Sequence, residues 1–198
     1  MKRAGWIALC FFMVSADFAQ AQNATNSRPL RRGGAALQIG LDGGGDYLHE
    51  FTDTNMTLGE GVSFSAGGFY RPVETSPLEI YGLVGAKLGF FAPIQGAGYD
   101  SNVKRWTAEL LANYRFNNKW YVDGGLVYHI NPRFYDDNPA ATDVQFKNAL
   151  GATVGFGWSF IGVQYTYMEY SSAAYGHFDA SNVGLRFTVR FRKWRPVF

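Results

Sequence analysis

Three side chains near the C-terminus have the types that hydrolytic catalysis uses: His177, Asp179 and Ser181. A serine becomes a nucleophile when a histidine takes its proton and an acid orients that histidine, and such a triad is defined by geometry. The stretch runs His177-Phe-Asp-Ala-Ser181-Asn182, and no acid follows Ser181. It reads better as an external loop running into a final strand. His49 and His129 stand alone, outside any zinc-ligand spacing, and read as hydrogen-bonding groups at a rim or in an interior. Gly43-Gly44-Gly45 is no phosphate loop, because neither a helix pattern nor Lys-Ser/Thr follows it. Glycines there let a strand bend. The expectation is a non-enzymatic chain with no cofactor and no metal.

The charged residues say more, because they recur at every second position. In the last segment Val183, Leu185, Phe187, Val189 and Phe191 alternate with Gly184, Arg186, Thr188, Arg190 and Arg192. A helix would scatter these arginines around its girth, whereas a strand puts them on one face. The same alternation covers 36–51, 59–71, 78–91, 104–116, 119–131, 147–158 and 161–170. That makes eight strands, each long enough to cross a bilayer, which takes about 9–11 tilted residues. Short turns at 72–77, Asn117-Asn118 and Ser159-Phe160 alternate with longer segments at 52–58, 92–103, 132–146 and 171–180. Outer-membrane barrels show that rhythm, with short periplasmic turns and longer outside loops. The expected fold is therefore all-β, an eight-stranded antiparallel up-and-down transmembrane β-barrel with both termini periplasmic.

Composition agrees. Lys2 and Arg3, the apolar run from Gly5 to Ala16 and Ala19-Gln20-Ala21 fit a signal peptide over 1–21. The rest divides into a periplasmic leader at 22–35, a barrel at 36–191 and a basic, aromatic tail at 192–198. Cys10 is the only cysteine, so stability cannot come from disulfides. Removing Lys2, Arg3 and Asp17 with the signal leaves a net charge of about +1, which carries no nucleic-acid footprint. The 24 Gly, 17 Phe, 12 Tyr and 5 Trp suit curved strands with aromatic belts. Tyr70, Phe116, Trp120, Trp158 and Phe191 fall at the short-turn end, and Tyr47, Phe90, Trp106 and Tyr167 toward the loops. Rims at both ends argue against a soluble calyx, whose apolar residues would face inward.

The stretches Tyr165-Thr-Tyr-Met-Glu-Tyr170 and Gly176-His-Phe-Asp-Ala-Ser-Asn-Val-Gly-Leu-Arg-Phe-Thr-Val-Arg-Phe191 resemble the closing hairpin of small outer-membrane barrels in the OmpA/OmpX/Opa-like group. The resemblance implies integral location in the cell outer membrane. It also implies a terminal aromatic read by the barrel-assembly machinery, and Phe191 and Phe198 are the candidates. The His177–Asn182 stretch resembles the His-x-Ser-Asn signature of lipid A deacylases only loosely.

With apolar residues toward lipid, the charged face becomes the lumen, where charges must pair to be tolerated. Matching heights pairs Arg71 with Glu79, Lys87 with Glu109, Arg115 with Asp123 and Arg186 with Asp42, and places Arg190 on the same face. Such a set reads as a salt-bridged plug, or alternatively as the selectivity ring of a narrow channel. At the outer end Tyr99, Asp100, Phe134, Tyr135, Asp136 and Asp137 could meet an extracellular ligand. Arg105, Arg133 and Lys147 could meet lipopolysaccharide phosphates. Arg28, Arg31, Arg32, Arg192, Lys193 and Arg195 form a basic periplasmic fringe that suits inner-leaflet lipid or peptidoglycan. The expected function is a structural or surface-interaction role, adhesin-like or in envelope integrity. A narrow channel and a lipid-modifying enzyme are the alternatives.

Overall fold

The computed structural model describes residues 32–48, 56–73, 75–90, 101–117, 119–136 and 143–191. Eight strands carry the fold: β1 (Gly33–Gly43), β2 (Gly61–Tyr70), β3 (Leu78–Phe90), β4 (Ser101–Arg115), β5 (Trp120–Asp136), β7 (Ala149–Trp158), β8 (Ile161–Tyr167) and β11 (Asn182–Phe191). Each pairs antiparallel with the next, and β11 pairs with β1 from Ala35↔Phe191 to Gly43↔Val183, so the sheet closes on itself. Among the described residues there is no helix. Three short strands decorate the loop end. β6 (Val144–Gln145) extends the β5 edge, and β9 (Glu169–Ser172) pairs with β10 (Gly176–Asp179) as a hairpin rising from β8 and β11.

The alternation read from the sequence sets which way each residue faces. Leu41, Val84, Trp106, Leu110, Leu150 and Val163 point outward. Gln38, Ser65, Lys87, Thr107, Thr153 and Arg186 are buried inside. Val84 is 66% exposed and Lys87 3%, an inversion of the usual rule that only a non-aqueous surrounding rationalises. A closed barrel also leaves no strand edge unbonded, as hydrocarbon requires.

Turn chemistry explains the short connections. Asn117 Oδ1 accepts from Lys119 N at 2.8 Å and Trp120 N at 2.9 Å, folding the β4–β5 turn. Ser159 takes a left-handed φ of 60° in the two-residue β7–β8 turn. Two bounds differ from the expectation. The first strand was expected to run to 51, but Gly44 and Gly45, at φ 126° and 87°, break the ladder, so β1 ends at Gly43. The third long loop was expected from 132, but β5 runs to Asp136. A bulge between Lys104 and Trp106, with Asn131 at φ 52°, resets the register and lets the strand continue.

Candidate functional site in the lumen and outer rim

Two ion clusters fill the lumen. At the short-turn end the Glu79 carboxylate, fully buried, pairs with Arg71, lies 3.2 Å from Arg115 Nε and 3.2 Å from Arg190 Nη1, and accepts from the Tyr81 hydroxyl at 2.8 Å. Arg115 also stacks its guanidinium 5.2 Å from the Tyr121 ring centroid. Nearer the long connections Asp42 lies between Arg186 Nη1 at 2.5 Å and Lys87 Nζ at 2.9 Å. Arg186 Nε donates to Gln164 Oε1 at 2.8 Å, and Lys87 Nζ donates to the Gly59 carbonyl at 2.7 Å. Strand glycines make the room. A Cβ at Gly40 or Gly184 would strike the Arg186 guanidinium, and one at Gly157 would strike the Tyr121 ring.

The pairs Arg71–Glu79 and Arg186–Asp42 form as the height matching placed them. Two others do not. Lys87 is held by Asp42, while among the described residues Glu109 receives only the Ser65 hydroxyl, at 3.4 Å. Arg115 bonds Glu79 on the neighbouring β3 in place of Asp123 on β5. Barrel stagger moves neighbouring strands past each other, so residues at equal counts from a turn do not share a level.

Above the upper cluster an apolar cap closes the loop end. Leu48, Met56, Leu58, Phe134, Phe146 and Tyr170 are all buried there, drawn from several connections and strand extensions. Tyr170 Oη hydrogen-bonds His129 Nδ1 at 2.6 Å, and burial pushes the Tyr170 hydroxyl up to about 12. Two cavities in the lumen, among the described residues, measure about 20 and 10 Å³, room for roughly one water each.

This arrangement corrects two rim assignments. Arg105 is 3% exposed and points inward at the bulge, donating to the carbonyls of Leu58 at 2.8 Å and Glu60 at 3.0 Å, so it cannot meet a lipid phosphate. Phe134 sits in the cap and offers no surface to an outside ligand. Tyr135, Arg133 and Lys147 remain near the surface, and Asp136 ends β5. Phe191 ends β11 facing outward. Tyr99, Asp100, Asp137 and Phe198 lie outside the described residues, as do His49, the signal segment and the basic fringe other than Arg32.

His177 and Ser181 are not joined. The Ser181 hydroxyl is buried against the Met168 backbone, accepting from its N at 3.2 Å and lying 3.4 Å from its O. His177 Nδ1 lies 2.5 Å from Glu169 Oε1 on the exposed face of the β9–β10 hairpin. Asp179 Oδ1 accepts from the Ser181 backbone N at 2.8 Å, so it caps a turn.

Two features escaped the sequence reading. The cap was signalled only by apolar residues in segments taken as loops and, for Leu48 and Tyr170, at the ends of expected strands. Lys104 was passed over because it sits on the apolar face, two residues above Trp106, where a long cation snorkels to an interface.

No family model and no curated protein matches the chain. Among solved structures it is similar to Ail, the attachment invasion locus protein of Yersinia pestis, at 9% identity and a TM-score of 0.47, covering 81% of this chain and 99% of that one. The same protein in complex with the heparin analogue sucrose octasulfate gives 12% identity and 0.46, with 80% and 100% covered. The N-terminal β-barrel domain of Pseudomonas aeruginosa OprF gives 12% and 0.33, also with 80% and 100% covered. These are likenesses of chain layout.

Proposed function

We propose that this chain is an integral outer-membrane barrel with a plugged lumen, whose work is done at the cell surface by its loop end and rim. The observation that carries the reading is the inversion of faces: apolar side chains rimmed by aromatics outside, paired charges inside. The filled lumen and the apolar cap favour a structural or surface-interaction role, adhesin-like or in envelope integrity, over a narrow channel. The separate engagements of Ser181 and His177 disfavour lipid hydrolysis. On this reading the long connections face outward, lipopolysaccharide and outer-membrane lipid surround the band, and both termini face the periplasm. Phe191 or Phe198 then addresses the barrel-assembly machinery, and the basic residues flanking the barrel approach inner-leaflet lipid or peptidoglycan.

The test is planar-bilayer recording on the refolded chain, beside its gel migration before and after boiling. A plugged barrel shifts on boiling and gives no discrete conductance steps. Steps whose ion selectivity changes on reversing the charge of Arg186 would overturn the plug. The absence of any heat-dependent shift would overturn the membrane barrel.

A further inference from the structure

A groove of about 320 Å³ opens on the outside of the barrel where β3, β4 and β5 approach the long connections. Its floor is apolar, formed by Ala86, Leu88 and Trp106, and Trp106 is 64% exposed. Its edge carries two cations. Lys104 and Arg133 stand directly opposite each other in the β4–β5 register. Like charges so placed repel and destabilise a sheet. Their company among the described residues is neutral. Lys104 Nζ lies 5.4 Å from the Tyr135 ring centroid, while Arg133 donates from Nε to Asn131 Oδ1 at 3.2 Å and from Nη1 to the Tyr135 hydroxyl at 3.3 Å. The bulge assembles this edge. Its extra residue lies on β5, where Ile130 and Asn131 both face outward, so Asn131, Arg133 and Tyr135 follow one another on the outer side with Pro132 and Phe134 buried between them, while Arg105 keeps the inward place that β4's alternation gives it.

We propose that this groove is a binding site for a phosphorylated glycolipid of the lipid A type. Its phosphate sits between Lys104 and Arg133, and an acyl chain lies over Ala86, Leu88 and Trp106. A phosphate converts the repulsion between the two cations into attraction to a shared anion, and Arg133 offers it a planar fork of donors. The apolar floor directly beneath the cations matches a ligand whose charge and hydrocarbon are one molecule. A free phosphate would leave that floor unused. The choice of lipid A over glycerophospholipid rests on the proposed orientation, which turns this end of the barrel toward the outer leaflet.

Native mass spectrometry of the full refolded chain, titrated with purified lipid A, tests the site. Lipid A should stay bound to the wild type, and K104Q/R133Q should weaken it about tenfold or more. Dephosphorylated lipid A should lose affinity for the wild type to a similar extent. Trp106→Ala should weaken binding with both charges intact. Unchanged affinity in the double variant overturns the site, and equal affinity for phosphatidylglycerol overturns the lipid A assignment. Heat-dependent gel migration of each variant shows that it is folded. Should the double variant fail to fold, Lys104→Gln and Arg133→Gln singly give the same readout. A wild type without the gel shift would reject the membrane barrel itself, an outcome separate from lipid binding.

Discussion

Glu79 is one carboxylate holding three guanidinium groups and a tyrosine hydroxyl, with its own side chain fully buried. Removing the partner of a buried charge costs roughly 3–5 kcal/mol, because the charge left behind cannot return to water. Glu79→Gln should therefore lower the urea-unfolding midpoint sharply. Arg190→Gln, with Arg190 at the edge of the cluster and 16% exposed, should lower it less. Glu109 is the contrast, since among the described residues no cation bonds it and its Oε2 has no hydrogen-bond partner. Glu109→Gln should leave the midpoint at or above the wild-type value, and a loss as large as that of Glu79→Gln would reinstate a Lys87–Glu109 pair. At this scale the sequence was half legible. That inward charges exist, and on which strands, follows from period 2. That Asp42 serves Lys87 as well as Arg186 follows from stagger, which no single strand encodes. Gly157→Ala belongs here too: the added methyl meets the Tyr121 ring, so a loss of about 1–3 kcal/mol is expected from the same unfolding measurement.

Strands were the most legible elements, because each repeats one decision many times: outward apolar, inward polar. The expected 78–91 and the observed Leu78–Phe90 nearly coincide, as do 161–170 and the β8–β9 run. Misreadings fell where glycine or a bulge interrupts the period, at Gly44-Gly45 and at Asn131. The facing can be tested on β11. An arginine on the lipid side near the midplane costs about 2–4 kcal/mol, so Leu185→Arg should impair insertion into lipid vesicles. A label on a cysteine at Leu185 or Val189 should report hydrocarbon, and one at Gly184 or Arg186 a polar interior. The opposite pattern would make the protein a soluble calyx. At the bulge, Asn131→Ala loses a side chain that accepts from Arg133 and from Gln145 Nε2 at 3.0 Å, and places alanine at a positive φ. The expected loss is about 1–2 kcal/mol, whereas Asn131→Gly removes only the side-chain contacts and should cost less.

For the whole molecule, the band of outward apolar side chains and the closed sheet define what can surround it, while paired charges and the apolar cap occupy its inside. Closure was legible only indirectly, from an even strand count and the alternation of short and long connections. The cap was not, because nothing periodic marks residues that gather from three separate connections and the strand ends beside them. The seam between β1 and β11 has a further consequence. Gln38 Nε2 donates to Thr188 Oγ1 at 3.1 Å across 150 residues of chain, and every rung of that ladder spans a similar separation. The other ladders join strands that follow one another, so they can form locally and early. The seam can form only after the last strand exists, and it joins residues farther apart in the chain than any other ladder does. The tube can therefore close only when its last strand is in place. Until then β1 and β11 are two open strand edges, each with a full row of unbonded backbone groups.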